Sequence, residues 1–231
     1  MKNTFYPTIV GNDLIKLEQF IRGSLLGDGC IPKIQAKGKN YRMTFGHGLK
    51  QTCYLNWKHQ FLNDFDLAGK IVTRTAVLDR YKNGSCTSLH FKSNTHPIFT
   101  KFRQLYYPEG TKILNKEDVI LLDKQALAIW FMDDGYINTP KNKSSFAVLC
   151  TTSFTKEQTE FLIELLWNKW NLKCYYYSSE KGIRFSVDSS KKLLQLINPY
   201  IVDCLKYKEV LYKSGELLEL HQTNKDNQQP S

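Results

Sequence analysis

Apolar residues along this chain follow two rhythms, one near the period of a helix and one of two residues, and the rhythms come in the same order twice. Residues 14–26 form an apolar helical stretch that ends in Gly27-Asp28-Gly29 and runs on into Cys30-Ile31. Residues 125–132 form a second, ending in Asp133-Asp134-Gly135 and followed by Tyr136-Ile137. Each is succeeded by a short strand, over 41–45 and 146–151, and then by an amphipathic helix, over 52–65 and 155–170. At an offset near 105 the helix tails superpose, Phe61-Leu62-Asn63-Asp64-Phe65-Asp66-Leu67 on Leu166-Trp167-Asn168-Lys169-Trp170-Asn171-Leu172.

A hairpin continues each copy. In the first, alternating residues 71–81 turn at Asn83-Gly84, a two-residue hairpin signal, and return through 85–92. In the second, residues 174–178 turn near Lys181-Gly182 and return through 183–187. Leu89-His90-Phe91 lies over Ile183-Arg184-Phe185 at an offset of 94, so the first hairpin is about eleven residues longer. Closing helices are predicted over 97–105 and 190–197, with Pro108 and Pro199 as stops. The expected architecture is α+β, two αββαββα halves over 10–110 and 111–215 related by a pseudo-two-fold axis, with a polar and mobile tail over 222–231.

Composition narrows what such a protein binds. With 42% hydrophobic and 23% charged residues, 13 Gly and 7 Pro among 231, the chain is neither collagenous nor of low complexity. Lys and Arg outnumber Asp and Glu by 32 to 22, and a net charge of +10 favours a polyanion. The apolar run 126–132 is far short of the roughly 20 residues that span a bilayer, so no membrane association is expected. Residues 1–11 lack the apolar stretch of a signal peptide and the Arg-rich character of a transit segment, so the protein is expected to stay in the compartment where it is made. The six cysteines, 30, 53, 86, 150, 174 and 204, are at least 23 residues apart and read as reduced, mostly buried thiols rather than a zinc or redox pair. His90 and His96, six apart, form no ligand pattern.

Asp28 and Asp134 each end an apolar helix and precede a glycine. A helix carboxyl end carries negative partial charge and disfavours an acid, and in the second copy Asp133 adds a like charge beside Asp134. Asp-Gly is also a common turn dipeptide, but its recurrence at equivalent repeat positions favours a compensating divalent cation held by carboxylates and free helix carbonyls. Gly23 and Gly27, four apart, leave one helix face nearly bare, so the two repeat helices can cross closely.

Ile21-Arg22-Gly23-Ser24-Leu25-Leu26-Gly27-Asp28-Gly29 and Leu127-Ala128-Ile129-Trp130-Phe131-Met132-Asp133-Asp134-Gly135 resemble the two signature copies of the LAGLIDADG homing endonucleases, the second in the Trp-Phe-Met-Asp-Asp-Gly version of single-chain, omega-type intron enzymes. The likeness covers about residues 14–213; the first copy departs from the pattern at Arg22 and Ser24, and the second places Asp133 where a small residue is usual. The resemblance implies two halves packed through the motif helices, with antiparallel sheets forming a DNA-binding saddle. It implies a monomer that breaks both strands of a double-stranded DNA target with Mg²⁺ or Mn²⁺. Asp28 and Asp134 become the metal-binding catalytic acids, one per strand, with Gly27 and Asp133 beside them in the metal set and Asp133 also at the helix interface. Lys112 and Lys208 become the basic residues near each acid. It further implies an intracellular protein of intron origin, whether mitochondrial, chloroplast, phage or bacterial.

Two-stranded ribbons fit the major groove, and their alternation leaves one set of side chains for DNA. Candidates are Arg42, Arg74, Arg80, His90 and Lys92 in the first half, and Lys173, Lys181 and Arg184 in the second, interleaved with Tyr175 and Tyr177. Unequal hairpins predict a long, imperfectly palindromic target. The rival readings are an intron maturase binding RNA and a silent DNA-binding regulator on the same scaffold; both tolerate loss of the acids, and both acids are present. No Cys or His arrangement supports a covalent nucleophile.

Overall fold

A computed structural model describes residues 7–33, 39–77, 84–141, 143–213 and 216–218. Contacts divide them into two compact units, one running to Asp133 and taking in Val202–Cys204, the other beginning at Asp134. The first unit contains α1 (Gly11–Leu26), β1 (Thr44–Gly48), α2 (Thr52–Asn63), β2 (Ala68–Val77), β3 (Ser85–Ser93), α3 (Pro97–Tyr106), α4 (Lys116–Val119) and α5 (Lys124–Asp134), whose last residue opens the second unit.

β3 lies between β1 and β2 in an antiparallel sheet. Its register pairs Phe45 with Phe91, and Gly46 with His90, which in turn faces Val72. Phe45 and Phe91 stack 4.8 Å apart, Phe45 meets Phe20 of α1, and His59 of α2 sits edge-on to Phe91. That face is therefore the core, and the intervening residues turn the other way. α5 is buried from Ala126 to Asp133 on every side, as expected of a helix with no polar stripe. Its closeness to α1 needs the bare positions: a Cβ on Gly23 would fall on the Ala126 carbonyl oxygen, and one on Gly27 on the Asp133 side chain.

The second unit comprises β4 (Gly135–Asn138), β5 (Phe146–Cys150), α6 (Lys156–Trp170), β6 (Cys174–Tyr177), β7 (Gly182–Phe185) and α7 (Val187–Ile197), followed by 3₁₀ turns and a short pair, β8 (Leu211–Lys213) and β9 (Glu216–Leu218). Strand order is β4-β5-β7-β6. Ala147, Leu149, Cys174, Ile183 and Phe185 are buried, and Ser190 of α7 accepts the Ala147 N–H. Thr155 and Gln158 form a reciprocal cap on α6, and the Ser186 hydroxyl caps α7, which starts the closing helix three residues before its expected place.

Both strands expected after the second motif are present, as β4 and β5. In the first, among the described residues, the strand expected after Gly29 is reduced to one bridge between Cys30 and Thr44. The cysteine reading is corrected: Cys53 and Cys204 form a disulfide across 151 residues of sequence, a separation that hides the pairing. Of the remaining four only Cys174 is buried, and desolvation pushes its thiol up to about 12. The Asn83 turn position and the 222–231 tail lie outside the described residues. No described helix is long and apolar enough to cross a membrane.

Candidate active site

α1 ends where Gly27 and Gly29 donate their N–H groups to the carbonyls of Gly23 and Ser24. The turn they make carries the Asp28 side chain outward, 46% exposed. Lys112 donates to the Gly27 carbonyl oxygen at 3.3 Å, placing a cation at the electronegative end of the helix. His47, buried on β1, brings Nδ1 to 3.8 Å from Asp28 Oδ2 and shares Nδ1 with Gln51 at 3.2 Å. Asp28, His47 and Asp133 thus offer ligand atoms within 4.8 Å of one another.

Asp133 differs from Asp28 in how its oxygens are used. Oδ1 accepts a 2.6 Å bond from Lys58 of α2, and Oδ2 accepts the Asp28 backbone N–H at 3.2 Å. The side chains of Lys58 and Asp133 are both fully buried. The Lys58 ammonium also lies 4.6 Å from the centre of the Tyr54 ring and 5.4 Å from that of Phe45. Each Asp133 oxygen thus carries one hydrogen bond, and the residue belongs both to the α1–α5 contact and to the group of potential ligands.

In the second unit Asp134 is half-buried at the start of β4. Cys150, on β5, records its surroundings: burial raises the thiol pKa first, the Asp134 charge raises it further, and Lys208 opposes both. Lys208, in the 3₁₀ segment Asp203–Glu209, and Asp134 thus both act on Cys150.

The candidate DNA contacts separate cleanly by face. Arg74 pairs with Ser88, His90 with Gly46, and Lys92 with Thr44, all on the face opposite Phe45 and Phe91. Arg74 and Lys92 are exposed there, and Arg42 is exposed just before β1. Desolvation, and then the Arg74 charge, hold the half-buried His90 below its ordinary pKa, and its Nε2 lies 2.8 Å from the Ser88 hydroxyl. In the second sheet Arg184 faces Tyr175 across β6 and β7, and its guanidinium lies 3.9 Å from the centre of the Phe146 ring. Lys173 precedes β6 and Lys181 occupies the turn, both exposed. Arg80 lies outside the described residues.

Lys58 and His47 were not singled out from the sequence. A signal for Lys58 existed: it shares with Leu55 and Leu62 the buried stripe of α2, where a lysine needs a partner, and Asp133 on an all-apolar helix needs one equally. The departure at Arg22 is matched in the same way. Its guanidinium makes two 2.9 Å bonds to the buried Asp118 carboxylate, which also accepts the Tyr106 hydroxyl. Burial works against the Arg22 charge, and the bonds to Asp118 outweigh it, leaving the pKa raised.

The family model described as "LAGLIDADG DNA endonuclease family" matches residues 18–193. The chain belongs to the LAGLIDADG DNA endonuclease family. As a member it is a hydrolase of DNA phosphodiesters. It is 30% identical over 201 residues to probable intron-encoded endonuclease 1 of Wickerhamomyces canadensis, covering 83% of this chain and 82% of that one. It is also 30% identical over 203 residues to the RecA protein of Mycolicibacterium flavescens, covering 82% of this chain but only 45% of that protein's length. Among solved structures, the LAGLIDADG chain is similar to the homing endonuclease I-WcaI bound to its DNA recognition sequence, with a TM-score of 0.74 and 25% identity over 90% of this chain and 89% of that one.

Proposed function

We propose that the chain is a monomeric homing endonuclease that hydrolyses one phosphodiester in each strand of a long, imperfectly palindromic DNA site, with Mg²⁺ or Mn²⁺ as cofactor. The observation that carries this reading is the ending of the first motif helix, where an acid that the helix end disfavours is exposed next to a carbonyl bonded by Lys112. Asp28 presents an exposed carboxylate next to the Gly27 carbonyl, and these are hard oxygen donors suited to a divalent ion. Such an ion lowers the pKa of a bound water and stabilises charge on the attacking and leaving oxygens. Lys112 and Lys208 contribute fixed positive charge near the scissile phosphates, an electrostatic term that grows as water is excluded. Arg42, Arg74, His90 and Lys92 on one sheet, with Arg184 on the other, supply phosphate and base contacts.

Incubation of supercoiled plasmid carrying the uninterrupted host locus is expected to give linear DNA with Mg²⁺ and none with chelator; cleavage that survives the chelator overturns the metal assignment. A gel-shift series over salt concentration tests the surface. Arg74→Ala and Lys92→Ala are each expected to weaken binding on all sequences and to lower the salt slope by about 1. An unchanged slope for both variants removes that face from the DNA.

A further inference from the structure

We propose that Lys58 and Asp133 are positioning residues whose buried pair fixes the backbone at Asp28 and so sets the cleavage rate of the strand that Asp28 serves. The inference rests on Asp28 acting as a strand-specific acid. Its geometric basis is a chain of contacts within the first unit. The Lys58 ammonium holds Asp133 Oδ1 at 2.6 Å, and Asp133 Oδ2 holds the Asp28 N–H at 3.2 Å. Tyr54 and Phe45 rings enclose the ammonium, so it has no freedom to follow solvent. Gly27 is bare where Asp133 lies, since any Cβ there would meet the Asp133 carboxylate group. The Asp28 carboxylate is 46% exposed, so the pair grips the backbone at Asp28 rather than its carboxylate oxygens.

The repeat shows that the device is one-sided. At the offset of 106 that pairs Asp28 with Asp134, the counterpart of Asp133 is Gly27, which has no side chain, and that of Lys58 is Glu164, an acid. The sequence therefore does not repeat the lysine–carboxylate pair of Lys58 and Asp133. An enzyme that positions its two acids by different means tunes its two nicks separately, since the partners that orient a metal ligand change activity by roughly 10- to 100-fold when removed.

The test uses the full chain on duplex target labelled on each strand in turn, with enzyme in excess, so that each strand's rate is read from bound complexes. Lys58→Met and Asp133→Asn are expected to slow the strand that Asp28 serves by roughly 10- to 100-fold, to slow the other strand less, and to make supercoiled plasmid accumulate as a nicked circle. The double variant K58M/D133L removes both buried charges together. It is expected to recover the wild-type melting temperature yet keep the strand bias, because the Asp28 N–H still lacks its acceptor. This variant also keeps the test open if either single variant fails to fold. Equal slowing of both strands, no slowing, or return of both rates with the double variant makes the pair structural only and overturns the inference. Absence of any cleavage by the wild-type chain would instead count against the endonuclease reading.

Discussion

Asp28→Asn and Asp134→Asn are each expected to abolish double-strand cleavage, by at least about a thousandfold in rate, while leaving salt-dependent DNA binding in place. The substitution keeps shape and one acceptor oxygen but removes the charge that holds a divalent ion against the field of a helix carboxyl end. On the proposal that each acid serves one strand, a single variant is expected to take supercoiled plasmid no further than a nicked circle, and the double variant not to nick. Binding is expected to persist because the proposed phosphate contacts come from the exposed Arg and Lys of the sheets, and removing an anion from beneath a polyanion does not weaken them. Plasmid cleavage and gel shift on the same preparations separate the two properties. Loss of binding alongside loss of cleavage would make the acids structural, and unaltered double-strand cleavage would remove them from the site.

The parts legible in the sequence were those carried by periodicity and repetition. Two helices ending in Asp-Gly, glycines four apart and hairpins in both halves are local patterns, and the crossing at Gly23 follows from them because a missing Cβ acts on whatever approaches. The face of each ribbon was not legible. Alternation gives two sets, and only the stacking of Phe45 on Phe91 above the helices shows that Arg74, His90 and Lys92 belong to the open one. The buried charges were harder, because Lys58 and Asp133 are 75 residues apart, Arg22 and Asp118 are 96 apart, and no spacing rule links them. Each departure from the family signature at a charged position, Arg22 and Asp133, nonetheless carries a partner. Read alone, an ionic residue inside an apolar helix announces that a complementary charge is buried nearby without saying where. The missing strand after Gly29 has a different origin: Cys30 retains the bridge to Thr44, but the chain does not stay paired beyond it among the described residues.

Arg22→Met is expected to be among the most destabilising single substitutions in the chain that touch no catalytic group. Arg22 is 1% exposed and Asp118 6%, so the bidentate pair has little water to fall back on. Its members join α1 to α4, Tyr106 brings in α3 through its 2.8 Å bond to Asp118, and the guanidinium lies 5.7 Å from the centre of the Phe102 ring. Methionine fills the volume of the side chain but leaves Asp118 buried with one neutral donor from Tyr106. Stranding a charge in this way costs about 3–5 kcal/mol, which at about 2–4 °C per kcal/mol for a chain of this size lowers Tm by about 10 °C. Tyr106→Phe removes one neutral donor from an acid that keeps its arginine, and is expected to cost only about 1 kcal/mol. The double variant R22M/D118L buries no charge at all and should regain most of the loss, since well-packed apolar groups often match a buried pair. Thermal unfolding of the three variants orders them. Equal shifts for Arg22→Met and Tyr106→Phe, or no recovery in the double variant, would mean that α1, α3 and α4 are held by packing around Phe20 and Phe102 rather than by this charge network.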